Sequence, residues 1–274
     1  MLSTKLLDRS RHRTLIMGIL NVTPDSFYNG GVLRDLSGAL ARATEMEADG
    51  ADILDVGGES SRPGAEPVSV EIECERVLPV VESLQPLGLP VSVDTYHAAT
   101  AREAVRRGAK MINDISALRF DPEMVHVVAE AGCDCVLMHM LGAPRTMQQD
   151  PQYTDVVDDI CAFFEKRVSY AVRNGIRETA IWLDPGFGFG KTVAHNLTLL
   201  RRLGEFRKLG RPILIGTSNK STIGAVLEAP VHDRIEGTAA TVAIAIANGA
   251  DCVRVHNVKA MARVAKMTDA ILNA

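Results

Sequence analysis

Acidic, amide, basic and imidazole side chains recur in this chain at one place in a repeating pattern, the end of a short apolar run. Ile16-Met-Gly-Ile-Leu20 ends at Asn21, and Ala51-Asp-Ile-Leu-Asp-Val56 runs into Gly57-Gly58-Glu59. Val91-Ser-Val93 ends at Asp94, and Met111-Ile112 at Asn113-Asp114. Cys135-Val-Leu-Met138 ends at His139, and Ala180-Ile-Trp-Leu183 at Asp184. Pro212-Ile-Leu-Ile215 leads into Gly216-Thr-Ser-Asn-Lys220, and Cys252-Val253 into Arg254 and His256. Two chemistries follow from these residue types. Asp94, Asn113, Asp184 and Lys220 suit a flat heterocycle with a donor–acceptor edge, such as an aminopyrimidinone, because a carboxylate accepts a pair of N–H bonds. Ser60-Ser61-Arg62 and Arg254-Val-His256 suit an oxyanion or a phosphate, through hydroxyls, guanidinium forks and an imidazole. The alternation in Arg254-Val-His256 puts both polar side chains on one face of a strand end. Asn21 completes this second set, and its amide oxygen is a ligand for Mg²⁺ beside a pyrophosphate.

Elements must carry these residues to one place. About eight buried strands with functional groups at their C-terminal ends, separated by helical stretches, read as a TIM (β/α)₈ barrel. Helices are expected at 36–49, 69–84, 98–107, 122–131 (with Asp121 as N-cap), 155–173, 195–203, 234–247 and 258–272. A barrel of this kind runs to about 250 residues, so the 274 residues form one domain, 1–274. Two strand-to-helix loops are long and rich in turn formers, about 22–34 and about 57–67, and such loops are where mobile lids are found.

Composition narrows the field. Thirty basic against thirty-four acidic residues give a net charge of −4 without a long single-sign run, which argues against a nucleic-acid or membrane-surface role resting on bulk charge. The apolar runs fall short of the roughly 20 residues of a membrane span, and the first thirteen residues lack the apolar core of a signal peptide. A cytoplasmic location is expected. Cys74, Cys133, Cys135, Cys161 and Cys252 are then free thiols, and Cys133-Asp-Cys135 has no second cluster to complete a metal site. Gly186-Phe-Gly-Phe-Gly-Lys-Thr192 resembles a phosphate loop, but the required earlier glycine is Pro185, so the better reading is a glycine-rich wall that lays Phe187 or Phe189 against a flat ligand. A tight turn with a phenylalanine packed inward is the alternative.

Taken in order, nine segments resemble the dihydropteroate synthase family over about residues 14 to 265. They are Gly18-Ile-Leu-Asn-Val-Thr-Pro-Asp-Ser-Phe27, Asp55-Val-Gly-Gly-Glu-Ser-Ser-Arg-Pro-Gly64, Val91-Ser-Val-Asp-Thr95, Ile112-Asn-Asp-Ile115, Leu137-Met-His-Met140, Leu183-Asp-Pro-Gly-Phe-Gly-Phe-Gly-Lys-Thr192, Ile215-Gly-Thr-Ser218 with Lys220, Arg234-Ile-Glu-Gly-Thr238 and Arg254-Val-His256. The resemblance implies condensation of 6-hydroxymethyl-7,8-dihydropterin diphosphate with 4-aminobenzoate, releasing pyrophosphate, in a TIM barrel that uses Mg²⁺ and forms a homodimer. It implies a pterin site at Asp94, Asn113, Met138, Asp184, Phe189, Gly216 and Lys220. It implies diphosphate contacts at Asn21, Ser61, Arg62, Arg254 and His256, with the metal at Asn21. An aminobenzoate pocket follows from Pro24, Phe27, Ser61, Arg62, Pro63, Phe189 and Ser218. The groups implied in the chemistry are Asp94, Lys220, Arg254 and His256.

This chain departs from the family pattern at four places. Tyr28-Asn29 follows Phe27 where Ser-Asp is more usual, and Ser61 stands for Thr. Asn219 stands where Arg usually precedes the lysine, and Asn257 where Asp usually follows the histidine. The last two alter charge beside the site. Two alternatives are weighed beside the synthase: a pterin-binding methyltransferase of the methyltetrahydrofolate–corrinoid type, which resembles it in barrel and pterin site, and a non-catalytic pterin-binding paralogue, whose only support is Asn219 and Asn257.

Overall fold

The computed structural model describes residues 13–23, 32–60, 64 and 66–274. Within them eight parallel strands form: β1 (Leu15–Asn21), β2 (Ile53–Gly57), β3 (Val91–Asp94), β4 (Met111–Asp114), β5 (Asp134–Met138), β6 (Ile181–Asp184), β7 (Leu214–Ile215) and β8 (Cys252–Val255). They lie in the order β6-β5-β4-β3-β2-β1-β8-β7. A parallel bridge from Leu183 to Ile213, one residue ahead of β7, joins the two edges, so the expected barrel closes. Helices α1 (Val32–Ala48), α2 (Val70–Leu84), α3 (Ala98–Arg106), α4 (Met124–Ala131), α5 (Val156–Arg173), α6 (Val193–Arg201), α7 (Ser221–Leu227), α8 (Ile235–Ala247) and α9 (Val258–Leu272) fill the connections.

Strand alternation decides which residues face the barrel axis. Leu15, Met17, Ile53, Met111, Val136, Trp182, Leu214 and Cys252 pack together as one buried cluster inside the barrel. Their strand neighbours Ile16, Leu54, Ile112, Cys135, Leu137, Ile181, Leu183, Ile213, Ile215 and Val253 pack outward with the helices. Buried on both faces, the strands read as the near-continuous apolar runs seen in the sequence. Moving two residues along from each interior residue keeps to the inner row. That step leads from Ile53 to Asp55, Met111 to Asn113, Val136 to Met138, Trp182 to Asp184, Leu214 to Gly216 and Cys252 to Arg254. The floor of the barrel is apolar and its mouth is polar, within single strands.

Local capping fixes the helices that follow. Ser69 accepts from the Ile72 N–H ahead of α2, and Asp155 accepts from Val157 and Asp158 ahead of α5. Thr192 and His195 form a reciprocal capping box on α6. The sequence expectation differs from the structure at four places. Helix α1 begins at Val32, inside the span expected to be loop, and α6 begins at Val193 rather than His195. Helix α7 is an additional short element between β7 and α8. Asp121 does not cap the helix that follows it, which starts only at Met124; one oxygen takes the Glu123 N–H and the other takes the Ala98 N–H at 2.8 Å. The carboxylate therefore caps α3 from across a turn, because that N-terminus offers an unpaired donor and its own neighbour His97 supplies no side-chain cap.

Candidate active site at the barrel mouth

The centre of the mouth is a three-residue ion network. The Arg254 Nε–H donates to Asp55 Oδ2 at 2.6 Å, and its Nη2–H donates to Asp94 Oδ2 at 2.8 Å. Asn113 donates its amide N–H to the same Asp55 oxygen at 3.1 Å. Asp55 is fully buried. Its other oxygen, and the carbonyl oxygen of Asn113, are buried without a partner among the described residues. Buried acceptors of that kind are met by an ordered water or by a ligand's donors. Burial pushes Asp94 up to about 7, although Arg254 pulls the other way. Burial would lower Arg254, but Asp55 and Asp94 outweigh it and keep the guanidinium charged.

The β6–α6 turn forms one wall. Asp184 Oδ1 accepts from the Gly186 N–H at 2.7 Å, and burial still lifts its carboxyl to about 6. The two phenylalanines of the turn divide. Phe187 packs into the main core, as the alternative reading of the glycine segment has it. Phe189 joins Ile115, Met138, Met140 and Met147 in a small apolar cluster at the mouth, and Lys220 Nζ stands 4.1 Å from its ring centroid. This is a cation–π contact between two expected site residues.

The β7–α7 and β8–α9 turns complete the rim. His256 Nδ1 lies 2.9 Å from Ser218 Oγ, and its backbone N–H also donates to that hydroxyl. Gly216 backs onto Arg254: a side chain there would lie 3.7 Å from the Arg254 Cβ. Gly57 separates Asn21 Oδ1 from Asp94 Oδ2, each 3.8 Å from where a Gly57 Cβ would stand. A carboxamide oxygen and a carboxylate oxygen thus flank one bare backbone position.

The chain matches the family described as pterin binding enzyme over residues 17–256. It is 49% identical over 264 residues to the dihydropteroate synthase of Bacillus subtilis, spanning 96% of this chain and 90% of that protein. It is 48% identical to the corresponding protein of Synechocystis sp., over 94% and 90% of the two chains. In three dimensions it overlays a Yersinia pestis dihydropteroate synthase, solved as a sulfonamide drug complex, with a TM-score of 0.92 at 44% identity, covering 98% and 97% of the two chains. A Xanthomonas albilineans dihydropteroate synthase in complex with 7,8-dihydropteroate overlays with a TM-score of 0.86 at 39% identity, over 96% and 95% of the two chains. The chain belongs to the pterin-binding enzyme family.

For a pterin-binding enzyme the expected residues are gathered well. Asp94, Asn113, Met138, Asp184, Phe189, Gly216, Lys220 and Arg254 all sit on strand ends or turns at the same barrel mouth, with Asn21, Ser218 and His256 on the rim. Pro24, Phe27, Ser61, Arg62 and Pro63, together with Tyr28 and Asn29, lie outside the described residues. The two asparagine departures have local explanations. Asn219 has φ of +57°, a left-handed conformation that Asn enters more readily than most residues. Its N–H donates to Thr238 Oγ1, and its carbonyl accepts from Arg234. Asn257 caps α9 by accepting the Ala260 N–H at 3.0 Å, a task Asp performs equally.

Sequence reasoning assigned no role to several residues of this mouth. Asp55 is the most important, and a carboxylate two positions beyond Ile53 in an apolar run was the available signal. Glu59, Glu73, Tyr96 and His97 form a second group beside Asp94. The Tyr96 O–H donates to Glu59, the Thr95 O–H donates to Glu73, and His97 Nδ1 lies 3.0 Å from Glu73. Glu73 raises His97, and burial raises Glu59. Ligand atoms, one each from Glu59, Glu73 and His97, lie within 4.8 Å of one another; His97 is hydrogen-bonded to Glu73, and Glu59 to Tyr96. The group braces the start of the loop after Glu59.

Proposed function

We propose that this barrel condenses 6-hydroxymethyl-7,8-dihydropterin diphosphate with 4-aminobenzoate to give 7,8-dihydropteroate and pyrophosphate. The observation that carries the reading is the set of buried Asp55, Asn113 and Asp184 with the partly buried Asp94 at one mouth, in a chain that matches dihydropteroate synthases along nearly its whole length. An aminopyrimidinone presents adjacent N–H donors and a carbonyl, and the unpartnered oxygens of Asp55 and Asn113 with the carboxyls of Asp94 and Asp184 offer matching acceptors. Phe189 and Met138 supply an apolar face for the flat ring, with Lys220 above it. A corrinoid-dependent methyltransferase has no diphosphate to hold, and the rim of Lys220, Arg254 and the His256 imidazole favours the synthase.

In the reaction, the bond from the pterin methylene to the diphosphate oxygen breaks first and the oxygen keeps the electron pair. The arylamine nitrogen then forms its bond to the methylene carbon and loses a proton. An arylamine is a nucleophile when neutral, so no strong base is required. Preorganised charge does the work: the carboxylates face the developing pterin cation, and Lys220, Arg254 and His256 face the departing anion. The loops holding Pro24, Phe27, Ser61, Arg62 and Pro63 are assigned to the aminobenzoate pocket with Phe189 and Ser218. The amide oxygen of Asn21 beside Gly57 is the donor assigned to Mg²⁺, which would neutralise charge on the diphosphate.

A homodimer is part of the proposal. Leu227 of α7, Ile244 of α8 and Met267 and Ile271 of α9 expose apolar side chains on consecutive helices. Light scattering tests it. All five cysteines are free, which suits a cytoplasmic setting, and no helix among the described residues is long and apolar enough to cross a membrane.

The experiment is pyrophosphate release from the dihydropterin diphosphate with Mg²⁺, with and without 4-aminobenzoate. Release that requires aminobenzoate and yields dihydropteroate supports the synthase. Tight pterin binding without product refutes it in favour of a binding paralogue.

A further inference from the structure

Lys191 belongs to none of the sets above, yet it is 3% exposed beneath the mouth. Its Nζ donates to the carbonyl oxygens of Gly186 at 2.9 Å and Phe189 at 3.0 Å, and lies 3.0 Å from His139 Nδ1. A buried ammonium needs a carboxylate partner or must lose its proton. The three polar neighbours here are two carbonyls and an imidazole, and burial pushes the amine down to about 7. Burial pushes His139 down as well. The lysine thus serves as a hydrogen-bond donor to the turn.

What those bonds hold is specific. Gly186, Gly188 and Gly190 all have positive φ, so the turn has three left-handed corners and no regular backbone ladder of its own. One backbone bond closes it, from the Phe189 N–H to the Gly186 carbonyl at 3.0 Å, and side chains bind its carbonyls as well. Lys191 takes Gly186 and Phe189, Gln148 takes Gly188 at 2.6 Å, and Tyr153 takes Gly190 at 2.7 Å. The Gly186 N–H points to Asp184, and the Phe189 ring points to Lys220. Lys191 therefore grips the two residues of the turn that contact pterin-site groups, and ties them through His139 to the end of β5.

We propose that Lys191 is a positioning residue for the pterin site: by holding the Gly186 and Phe189 carbonyls against His139, it fixes the Phe189 ring beneath Lys220 and the Gly186 amide on Asp184. The proposal rests on the functional reading above. It makes the affinity for the pterin ring depend on a side chain that does not touch it.

The test is a double-mutant cycle of Lys191→Met and Phe189→Ala, read by titration of the full chain with 6-hydroxymethylpterin and by thermal melting. Lys191→Met is expected to stay folded and to weaken pterin binding about tenfold, while in the double variant its further effect over Phe189→Ala falls to about twofold or less. Such coupling separates positioning from a general loss of stability, which would leave the two losses additive. Unchanged affinity in folded Lys191→Met, or additive losses, overturns the proposal. Should Lys191→Met not fold, Lys191→Gln keeps an N–H donor in the same space and is expected to show the same coupling with a smaller loss. If neither variant folds, the lysine is structural and the proposal fails. Wild-type protein that binds no pterin would overturn the functional reading itself, an outcome distinct from all of these.

Discussion

Replacing Arg254 by Met should damage this protein in a pH-dependent way. The guanidinium bridges Asp55 and Asp94 at 2.6 and 2.8 Å, and Asp55 has no exposed surface. Removing one partner of a buried pair leaves an uncompensated charge and costs about 3–5 kcal/mol. Two carboxylates lose their cation here, so about 4 kcal/mol is expected near pH 8. Asp94 already stands at about 7 with the arginine present, raised by burial, and loses its largest opposing influence in the variant. A carboxyl raised in the folded state holds its proton there more tightly than in the unfolded chain, so folding stability falls as pH rises towards the folded value. The variant carries that fall to higher pH. The wild-type carboxyl titrates midway between about pH 6 and pH 8, so the variant holds at most about half a proton more on average across the two pH units, worth up to about 1.4 kcal/mol, and the loss near pH 6 should shrink to roughly 2.5–3 kcal/mol. Urea melts of both proteins at the two pH values measure the difference. A loss equal at both values, or below about 1 kcal/mol at pH 8, would refute the assignment of Arg254 as the counter-charge of the buried carboxylates.

Three further expectations follow from the same geometry. Pterin affinity should rise between about pH 5.5 and 8, because Asp184 at about 6 and Asp94 at about 7 must ionise to accept two N–H bonds; a flat calorimetric profile would exclude them as the ring's acceptors. Asp184→Asn should weaken pterin binding roughly 10- to 100-fold, the worth of a hydrogen bond to a charged group, and titration with the pterin alone checks it. Gly186→Ala should cost about 3 kcal/mol or more, since Gly186 has φ of +70° and a Cβ there runs into the His139 carbonyl oxygen; a melting temperature within a degree or two of wild type would show that the turn relaxes freely.

The barrel was legible because parallel strands buried on both faces are long enough in apolar residues to announce themselves, and because each one ends in a polar residue. Boundaries were less legible where a cap acts across the chain. Asp121 followed by Pro122 looks like a local helix start, yet the carboxylate reaches Ala98 at the head of α3. No sequence window contains both residues. Helix α7 was missed for a different reason: seven residues, Ser221–Leu227, are too few for a period to show.

The site was legible in its rim and much less so in its support, and the physical reason is strand alternation. Residues at the last inward position of a strand, such as Asp94, Asn113 and Asp184, stand next to turn formers and attract notice. Asp55 lies in the same inward row but one step deeper, where Val56 and Gly57 follow it and conceal the end of the run. That depth gives Asp55 its role. A carboxylate with no exposed surface cannot be satisfied by water, so it must be met by Arg254 and Asn113, and in being met it orients both. Lys191 is hidden in the same manner, as one residue of a glycine-rich segment whose resemblance to a phosphate loop draws attention to the wrong chemistry. In both cases the side chain that sets the geometry lies one layer beneath the side chains that meet the ligand. The prediction for Arg254→Met and the cycle on Lys191 probe that layer from two parts of the mouth, one through an ion network and one through hydrogen bonds to backbone carbonyls.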